Sequence, residues 1–286
     1  GICYAASYSL PYIKGIFYDP MMKATGATNT QLGLIMSVYG FGNVIFNLIG
    51  GFVTDKLDYK KCIIVSLLGT TALSVWLALA PSVINMYIIW GLFGVTTFFV
   101  FNPSIFKLPR MIVPEHLVGE SVGMFSFAQS IGYMVINFTS LYVYNLAEKS
   151  VGQVPAFSTV VWVYAGFTFV SALGCIFIFR NEKFTFSQLA LVMKEPGLWM
   201  MIICGFCMFS TMATTSYFVP YFNDVFGVAV TFSGVLGVLN LYGGRLFSPI
   251  LGKIATKTKY VSRMVIFGTS ALIVFLICIL LFSAKV

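Results

Sequence analysis

Charged residues are scarce in this sequence: Asp, Glu, Lys and Arg make up 9% of the 286 residues, whereas hydrophobic residues make up 59%. A soluble domain has roughly 25% charged and about 45–50% apolar residues. The mean hydropathy of +0.93 departs in the same direction. This shortage of polar side chains excludes a soluble globular protein and predicts an all-α, polytopic membrane protein.

Candidate catalytic groups are equally scarce. The single histidine, His116, lies in a basic loop, and no nucleophile has a base beside it in a plausible pocket. The six cysteines are scattered, and the Cys204 and Cys207 pair lies in an apolar run without a His or basic neighbour. A Gly-Lys-Ser/Thr phosphate-binding loop is also missing. We therefore predict neither an enzyme nor an ATP-driven pump, and no cofactor or metal.

Long apolar runs are what the sequence has in abundance. An α-helix needs about 20 mostly apolar residues to cross the hydrocarbon core, whereas a β-barrel strand alternates in polarity over about 10 residues. The first run lacks the basic region and cleavage site of a signal peptide. We therefore interpret it as a transmembrane helix and expect the sequence to begin within it. Nine transmembrane helices are predicted, at residues 2–18, 31–53, 62–80, 84–106, 121–146, 157–179, 197–221, 231–252 and 264–283.

The basic residues are distributed unevenly between the two ends of these spans. The segments 54–61, 107–120, 180–195 and 253–263 contain twelve of the 17 Lys and Arg residues. Because cytoplasmic loops of membrane proteins carry an excess of Lys and Arg, the loops after spans 2, 4, 6 and 8 are predicted to be cytoplasmic. The net charge of +8 therefore reflects topology, and no nucleic-acid partner is predicted.

Spans 2 and 8 end in similar charged stretches, "GFVTDKLDYKK" at 51–61 and "GKIATKTKY" at 252–260. An offset of 201 residues aligns Gly51 with Gly252 and extends backward through both spans. Because the two copies are six spans apart, the repeat predicts two parallel six-helix bundles, an architecture of secondary transporters. The predicted division is 1–180 for the N-terminal bundle, 181–196 for a cytoplasmic linker and 197–286 for a partial C-terminal bundle.

The first charged stretch resembles the loop 2–3 signature of the major facilitator superfamily: Gly, three residues, Asp and a basic residue, then Gly, Arg and further basic residues. Asp58 and Tyr59 replace the usual Gly and Arg. The resemblance implies a 6+6 two-bundle fold and alternating access, with the loop Asp acting as a conformational latch at the cytoplasmic face. The latch residues that it implies are Gly51, Asp55, Lys56, Gly252 and Lys257, and Lys60 and Lys61 complete the match.

The sequence also departs from that family. Trp90 stands where the family signature of span 4 has an Arg that is linked to proton coupling. The family has twelve spans, whereas nine are predicted here. We therefore expect a fragment that lacks part of span 1 and all of spans 10–12.

Two basic residues, Lys14 and Arg245, lie inside predicted spans. Charges within the bilayer are costly and are functional candidates by default. Because the two residues belong to opposite halves, they predict an anion site between the bundles, and Arg suits a bidentate carboxylate. The pair resembles the arrangement in the monocarboxylate and oxalate/formate branches of the superfamily. Further substrate-binding candidates are Tyr242, Tyr8, Asn102, Gln129 and Tyr217.

The predicted function is secondary transport of a small solute, an organic anion such as a carboxylate, by a symporter or antiporter. The alternatives are an organophosphate or neutral sugar transporter, a receptor of the same fold that binds a solute without moving it, and a channel. The predicted partners are a small-molecule substrate, a coupled ion or counter-anion, and membrane lipid. The protein is expected to be a monomer.

If Asp55 is a latch, Asp55→Asn should shift the balance between inward-facing and outward-facing states without impairing membrane insertion. A neutral amide loses the attraction between a carboxylate and a helix N-terminus, which is worth about 0.3–1 kcal/mol. The accessibility of introduced cysteines from each side of the membrane measures this balance. Unchanged accessibility on both faces would reduce Asp55 to a topology anchor.

Overall fold

The computed structural model describes residues 1–54, 56–179, 203, 230–258, 263, 266–271 and 273–274. Every regular element within these ranges is a helix. The α-helices are α1 (Ile2–Ser9), α2 (Tyr18–Thr25), α3 (Asn29–Thr54), α4 (Tyr59–Leu79), α5 (Val83–Gly94), α6 (Asn102–Ile112), α7 (Val118–Val151), α8 (Gln153–Ile178), α9 (Val230–Tyr242) and α10 (Ser248–Thr258). Short 3₁₀ helices occupy Ile13–Gly15, Glu115–Leu117 and Gly243–Phe247, and Val95–Phe101 is a π-helix.

Four helical stretches are long and apolar enough to cross a membrane: Asn29–Thr54, Tyr59–Leu79, Val83–Leu108 and Gln153–Ile178. They confirm predicted spans 2, 3, 4 and 6 as long apolar helices. Predicted span 5 falls within α7, whose 34 residues extend for roughly 50 Å at 1.5 Å per residue. All of span 7 except residue 203 and most of span 9 lie outside the described residues, so the total of nine stays a prediction.

Span 1 differs from the single helix that was predicted. The chain over residues 2–18 is divided into α1, a 3₁₀ turn at Ile13–Gly15 and the start of α2. Pro11 has no backbone N–H to donate to the preceding turn, which interrupts an α-helix. Span 8 is interrupted in a similar way, because the 3₁₀ helix Gly243–Phe247 separates α9 from α10.

Local sequence signals set several helix ends. Before α3, Thr28 and Gln31 form a capping box: the Gln31 N–H donates to Thr28 Oγ1 over 3.3 Å, and the Thr28 N–H donates to Gln31 Oε1 over 2.9 Å. Asp58 caps α4 by accepting a 3.0 Å hydrogen bond from the Lys60 N–H. Capping gives Asp58 a local role at a position where the family signature has Gly.

The described helices pack mainly around α7 and α8. α8 contacts α4 and α7, α1 contacts both α7 and α8, and α9 and α10 pack along α7. Facing away from these contacts, α3 exposes large apolar side chains such as Phe41, Leu48 and Phe52. An outward apolar surface of this kind fits a helix that borders hydrocarbon.

One contact between spans 2 and 4 requires a glycine. Pro103 cannot donate a hydrogen bond to the carbonyl of Phe99, four residues earlier. The Phe99 carbonyl oxygen lies against Gly50 of α3, so close that a Cβ on Gly50 would overlap it. The two backbones therefore approach one another only because residue 50 has no side chain.

Gly50→Ala should destabilise the protein by about 1–3 kcal/mol, because the methyl group forces α3 away from the Phe99 carbonyl. Gly40→Ala is the matched control on the same helix, since a Cβ there would meet no atom within 4 Å. The control should be neutral or slightly stabilising, because Ala favours a helix over Gly. Thermal unfolding of the detergent-solubilised variants compares them, and equal midpoints would contradict the close contact at Gly50.

Candidate functional site

Six tyrosines from four parts of the chain meet inside the protein. This tyrosine cluster consists of Tyr4, Tyr8 and Tyr12 from the first span, Tyr39 from α3, Tyr133 from α7 and Tyr242 from α9. Ring centroids are 4.4 Å apart for Tyr4 and Tyr8, and 6.5 Å apart for Tyr4 and Tyr133. Tyr12 contacts Tyr39 at 5.7 Å. The cluster therefore joins helices of both predicted halves.

The most tightly stacked pair is Tyr133 and Tyr242, with centroids 4.1 Å apart and ring planes at 10°. Next to this pair, the buried hydroxyl of Ser130 donates a 2.6 Å hydrogen bond to the carbonyl of Tyr242. That carbonyl belongs to the last residue of α9, where the chain leaves α-helical geometry. The hydrogen bond thus fixes the end of α9, and with it the stacked rings, to α7.

Three stretches of non-α backbone adjoin the tyrosine cluster: the break in span 1 near Tyr12, the 3₁₀ helix after Tyr242, and the π-helix Val95–Phe101. The hydroxyl of Tyr8 donates to the Thr97 carbonyl of the π-helix over 3.1 Å, and the Tyr39 and Thr97 hydroxyls are 3.0 Å apart. Within a membrane, irregular backbone is tolerated where protein buries it or where it lines a cavity. Such segments also mark functional regions of helices.

Trp90 donates a hydrogen bond to a backbone carbonyl at the break in span 1. Its side chain is fully buried, and its indole Nε1 donates a 3.1 Å hydrogen bond to the Pro11 carbonyl. Trp90 occupies the position where the family signature of span 4 has an Arg. At this position the chain carries a neutral donor that supports the neighbouring span.

Arg245 lies in the 3₁₀ helix of span 8 and is half-buried. Its Cζ is 5.7 Å from the centroid of the Tyr133 ring and 6.0 Å from that of Tyr242. It is also within electrostatic range of Tyr4 and Tyr12. No carboxylate within the described ranges forms an ion pair with the guanidinium. The part of the chain that the structure describes thus leaves this cation at the tyrosine cluster without a counter-charge.

Gln129 lies on the helical stripe Phe125, Gln129 and Tyr133, at spacings of four residues along α7. The rings of Phe125 and Tyr133 are 6.2 and 6.5 Å from the ring of Tyr4. Gln129 therefore faces the same side of α7 as the contacts with Tyr4. Its side chain is 5% exposed, and its Nε2 has no hydrogen-bond acceptor among the described residues.

Two predicted site residues lie in other surroundings. The Lys14 Nζ is 5.6 Å from the ring of Tyr18, which is not one of the rings that contact Arg245. The Asn102 Nδ2 donates to Asn47 Oδ1 over 2.9 Å, and the Asn47 amide donates in turn to Asn43. Asn102 thus takes part in a contact between α3 and α6. A further candidate, Tyr217, lies outside the described residues.

The predicted latch residues are described only in part, because Asp55 lies outside the described residues. Lys56 and Lys257 are exposed, and a Cβ on Gly51 would meet no atom within 4 Å. A Cβ on Gly252, the partner of Gly51 in the repeat, would be 2.7 Å from the Gly119 carbonyl oxygen of α7. The two equivalent glycines therefore have different surroundings, and the close contact is at Gly252.

Four members of the cluster are not among the substrate-binding residues predicted from the sequence: Tyr4, Tyr12, Tyr39 and Tyr133. One signal was available: Tyr4, Tyr8 and Tyr12 recur every four residues, which places them on one helical face. No spacing links Tyr39 or Tyr133 to that face, because their contacts with it are made between separate helices.

Comparison with known proteins gives concordant results. The family model of the Major Facilitator Superfamily matches residues 1–285. The inner membrane protein YihN of Escherichia coli is 26% identical over 293 residues, covering 95% of this chain and 68% of YihN. YqcE, a second inner membrane protein of that organism, is 25% identical, covering 88% of this chain and 62% of YqcE. This chain therefore spans about two thirds of the length of these relatives.

A more distant relative has a transport activity in its name. The glucose transporter GlcP of Staphylococcus epidermidis is 25% identical over 174 residues, which cover 58% of this chain and 36% of GlcP.

Trp90→Phe should destabilise the protein by about 1–3 kcal/mol, because it leaves the Pro11 carbonyl at the break without its donor. Trp76→Phe is the matched control, since Trp76 is 38% exposed on α4 and should tolerate the change. Thermal unfolding of the purified variants measures the difference. If the two substitutions had equal effects, the Trp90 hydrogen bond would not stabilise the break.

Proposed function

The chain belongs to the major facilitator superfamily, and from that membership we propose that it works as a secondary transporter that carries a small organic anion, a carboxylate, by alternating access. The observation that carries the choice of an anion is Arg245. It is a half-buried cation beside two stacked tyrosines, and no described carboxylate neutralises it.

The energetics of Arg245 favour a ligand of opposite charge. A charged side chain at the centre of a spanning helix costs about 2.5–3.5 kcal/mol on the insertion scale. Cation–π contacts reach to about 6 Å and contribute roughly 0.5–1 kcal/mol at partly exposed sites. At 5.7 and 6.0 Å, the two tyrosine contacts lie near that limit. They offset only part of the cost, and the planar guanidinium fork stays available for a bidentate carboxylate.

The position of Arg245 also suits alternating access. Arg245 and Tyr242 belong to the proposed C-terminal bundle (197–286), whereas Tyr4 and Tyr133 belong to the proposed N-terminal bundle (1–180), with the linker 181–196 on the cytoplasmic side. A ligand among these side chains touches both bundles. Its affinity therefore depends on how the bundles are oriented, and such a differential affinity is what couples binding to a conformational change.

At the proposed cytoplasmic face, the latch consists of Gly51, Asp55, Lys56, Gly252 and Lys257. The contact of Gly252 with the Gly119 carbonyl supports this assignment for the second copy. Because only a residue without a side chain permits this approach of two backbones, the contact holds α10 against α7 when the cytoplasmic side is closed. Our proposal puts the loops after spans 2, 4, 6 and 8 on this cytoplasmic side.

A neutral sugar is the second candidate substrate. The partial similarity to the glucose transporter GlcP and the aromatic rings of the tyrosine cluster favour it, since aromatic faces pack against the C–H faces of sugars. In that case Arg245 would serve a structural purpose, and its removal would leave transport unchanged.

Arg245→Gln should abolish transport of labelled carboxylates into proteoliposomes or cells, because the charge that holds the anion is gone. Arg245→Lys should impair transport, since an ammonium group cannot reproduce the bidentate fork. Arg245→Gln should reach the membrane, because removal of a membrane charge eases insertion by roughly 2–3 kcal/mol. Arg245→Lys keeps the charge and should insert as the unmodified protein does.

Lys253→Gln is the matched control for this series, because it removes an exposed positive charge from α10 and should leave uptake unchanged. If Arg245→Gln transports carboxylates at the normal rate, the anion assignment is wrong and the neutral sugar becomes the better candidate. A labelled panel of carboxylates, sugars and phosphates distinguishes these outcomes in one assay.

A further inference from the structure

We propose that the transported anion is a hydroxylated carboxylate of the sugar-acid type, and that Gln129 selects it by hydrogen bonding to a hydroxyl group. This inference rests on the proposed function, because it takes the carboxylate to be held by Arg245. It adds the chemical class of the rest of the molecule and a residue that recognises it.

The first support is the state of the Gln129 amide. The side chain is 5% exposed, and its Nε2 has no acceptor among the described residues. A buried donor without a partner costs about 1–3 kcal/mol. An apolar side chain at position 129 would avoid that cost, so the amide is better explained as a group that a ligand completes.

The second support is where the amide faces. Gln129 lies one turn from both Phe125 and Tyr133 on α7, and the rings of these two residues border Tyr4. Tyr133 also borders Arg245. A ligand whose carboxylate pairs with Arg245 therefore extends along Tyr133 towards Gln129, which requires a polar group on the carbon skeleton close to the carboxylate.

The third support is the type of polar group that fits. The Nε2 of Gln129 is a donor, so the ligand must offer an acceptor, and Arg245 already takes the charged one. The oxygen of a hydroxyl group accepts hydrogen bonds, so it can pair with the Nε2 of Gln129. An unsubstituted alkyl chain offers no acceptor and would leave this Nε2 unpaired.

The walls of the site fit the remaining surface of such a ligand. The Tyr4 ring is bordered by Phe101, Phe106 and Phe125, at centroid distances of 6.2, 5.5 and 6.2 Å. Tyr4, Tyr12 and Phe125 are only half-buried, so aromatic surface is left for a ligand. A hydroxylated chain or ring has C–H faces between its hydroxyl groups, and aromatic side chains bury such surface well.

The test measures binding to the purified full chain with three six-carbon probes. Gluconate has both the carboxylate and the hydroxyl groups, hexanoate has only the carboxylate, and sorbitol has only the hydroxyl groups. The unmodified protein should bind gluconate at least about tenfold more tightly than hexanoate, because a site built around a hydroxyl group discriminates against an analogue that lacks it. Sorbitol should bind weakly, since it leaves Arg245 unpaired.

Gln129→Leu should bring the affinities for gluconate and hexanoate to within about threefold, by weakening gluconate binding and leaving hexanoate binding unchanged or improved. Gln129→Asn, which keeps a shorter amide, should give an intermediate preference and serves if the Leu variant does not fold. Gln153→Leu, at the start of α8 and away from the tyrosine cluster, should keep the full preference for gluconate.

The failures of the two proposals are distinguishable. If gluconate and hexanoate bind equally to the unmodified protein, and Arg245→Gln loses both, this inference is overturned and the anion assignment stands. If gluconate binding survives Arg245→Gln, or sorbitol binds as tightly as gluconate, the anion assignment itself fails. Absence of gluconate binding to the unmodified protein also overturns the inference, as does an unchanged preference in Gln129→Leu.

Discussion

Contact between the half-buried Arg245 guanidinium and two stacked tyrosines organises the candidate site. The Tyr133 and Tyr242 rings are nearly parallel with centroids 4.1 Å apart, and the Arg245 Cζ lies 5.7 and 6.0 Å from their centroids. Each ring comes from a different proposed bundle, so the charge is stabilised only where α7 and α9 meet. Among the described residues, the contact offsets only part of the cost of the charge, and it fixes where the charge lies. Both properties suit the anion site that we propose.

The backbone around this contact is irregular, and buried side chains from neighbouring helices donate hydrogen bonds to it. Trp90 donates to the Pro11 carbonyl, Tyr8 to the carbonyl of Thr97, and Ser130 to the carbonyl of Tyr242. Each donor comes from a different helix than its acceptor. The Thr97 carbonyl also accepts the backbone N–H of Asn102, so the bond from Tyr8 is an addition to the backbone ladder there. The three bonds tie the irregular stretches of spans 1, 4 and 8 to neighbouring helices, and a buried carbonyl that keeps a donor avoids a cost of several kcal/mol. Irregular spans can present side chains that a straight helix would turn elsewhere.

Hydropathy and charge predicted much of the architecture, since span length and the cost of a buried charge are properties of short sequence windows. They located spans 2, 3, 4 and 6 and singled out Arg245. The break in span 1 was missed, although Pro11 was visible, because apolar length cannot distinguish one helix from two short ones. Gln129 appeared among the candidates, but its unpaired amide is a consequence of packing and has no signature in the sequence. The family assignment rested on a loop whose central Asp55 lies outside the described residues, and the match over residues 1–285 confirmed it.

The path of α7 along span 8 sets a condition on how a solute reaches Arg245. Three residues of α7 mark this path: Leu141 lies against Gly234, Ser130 donates to the Tyr242 carbonyl, and Gly119 lies against Gly252. Arg245 lies between the second and third of these contacts, so access from the Gly252 side requires α10 to leave α7. The Ser130 hydrogen bond contributes about 0.5–1.5 kcal/mol, and α10 also packs along α7. A ligand whose affinities for two arrangements differ tenfold supplies about 1.4 kcal/mol, which is comparable to that hydrogen bond alone. Separation of α10 from α7 therefore requires a larger difference in affinity than tenfold, because the packing along the two helices is lost as well.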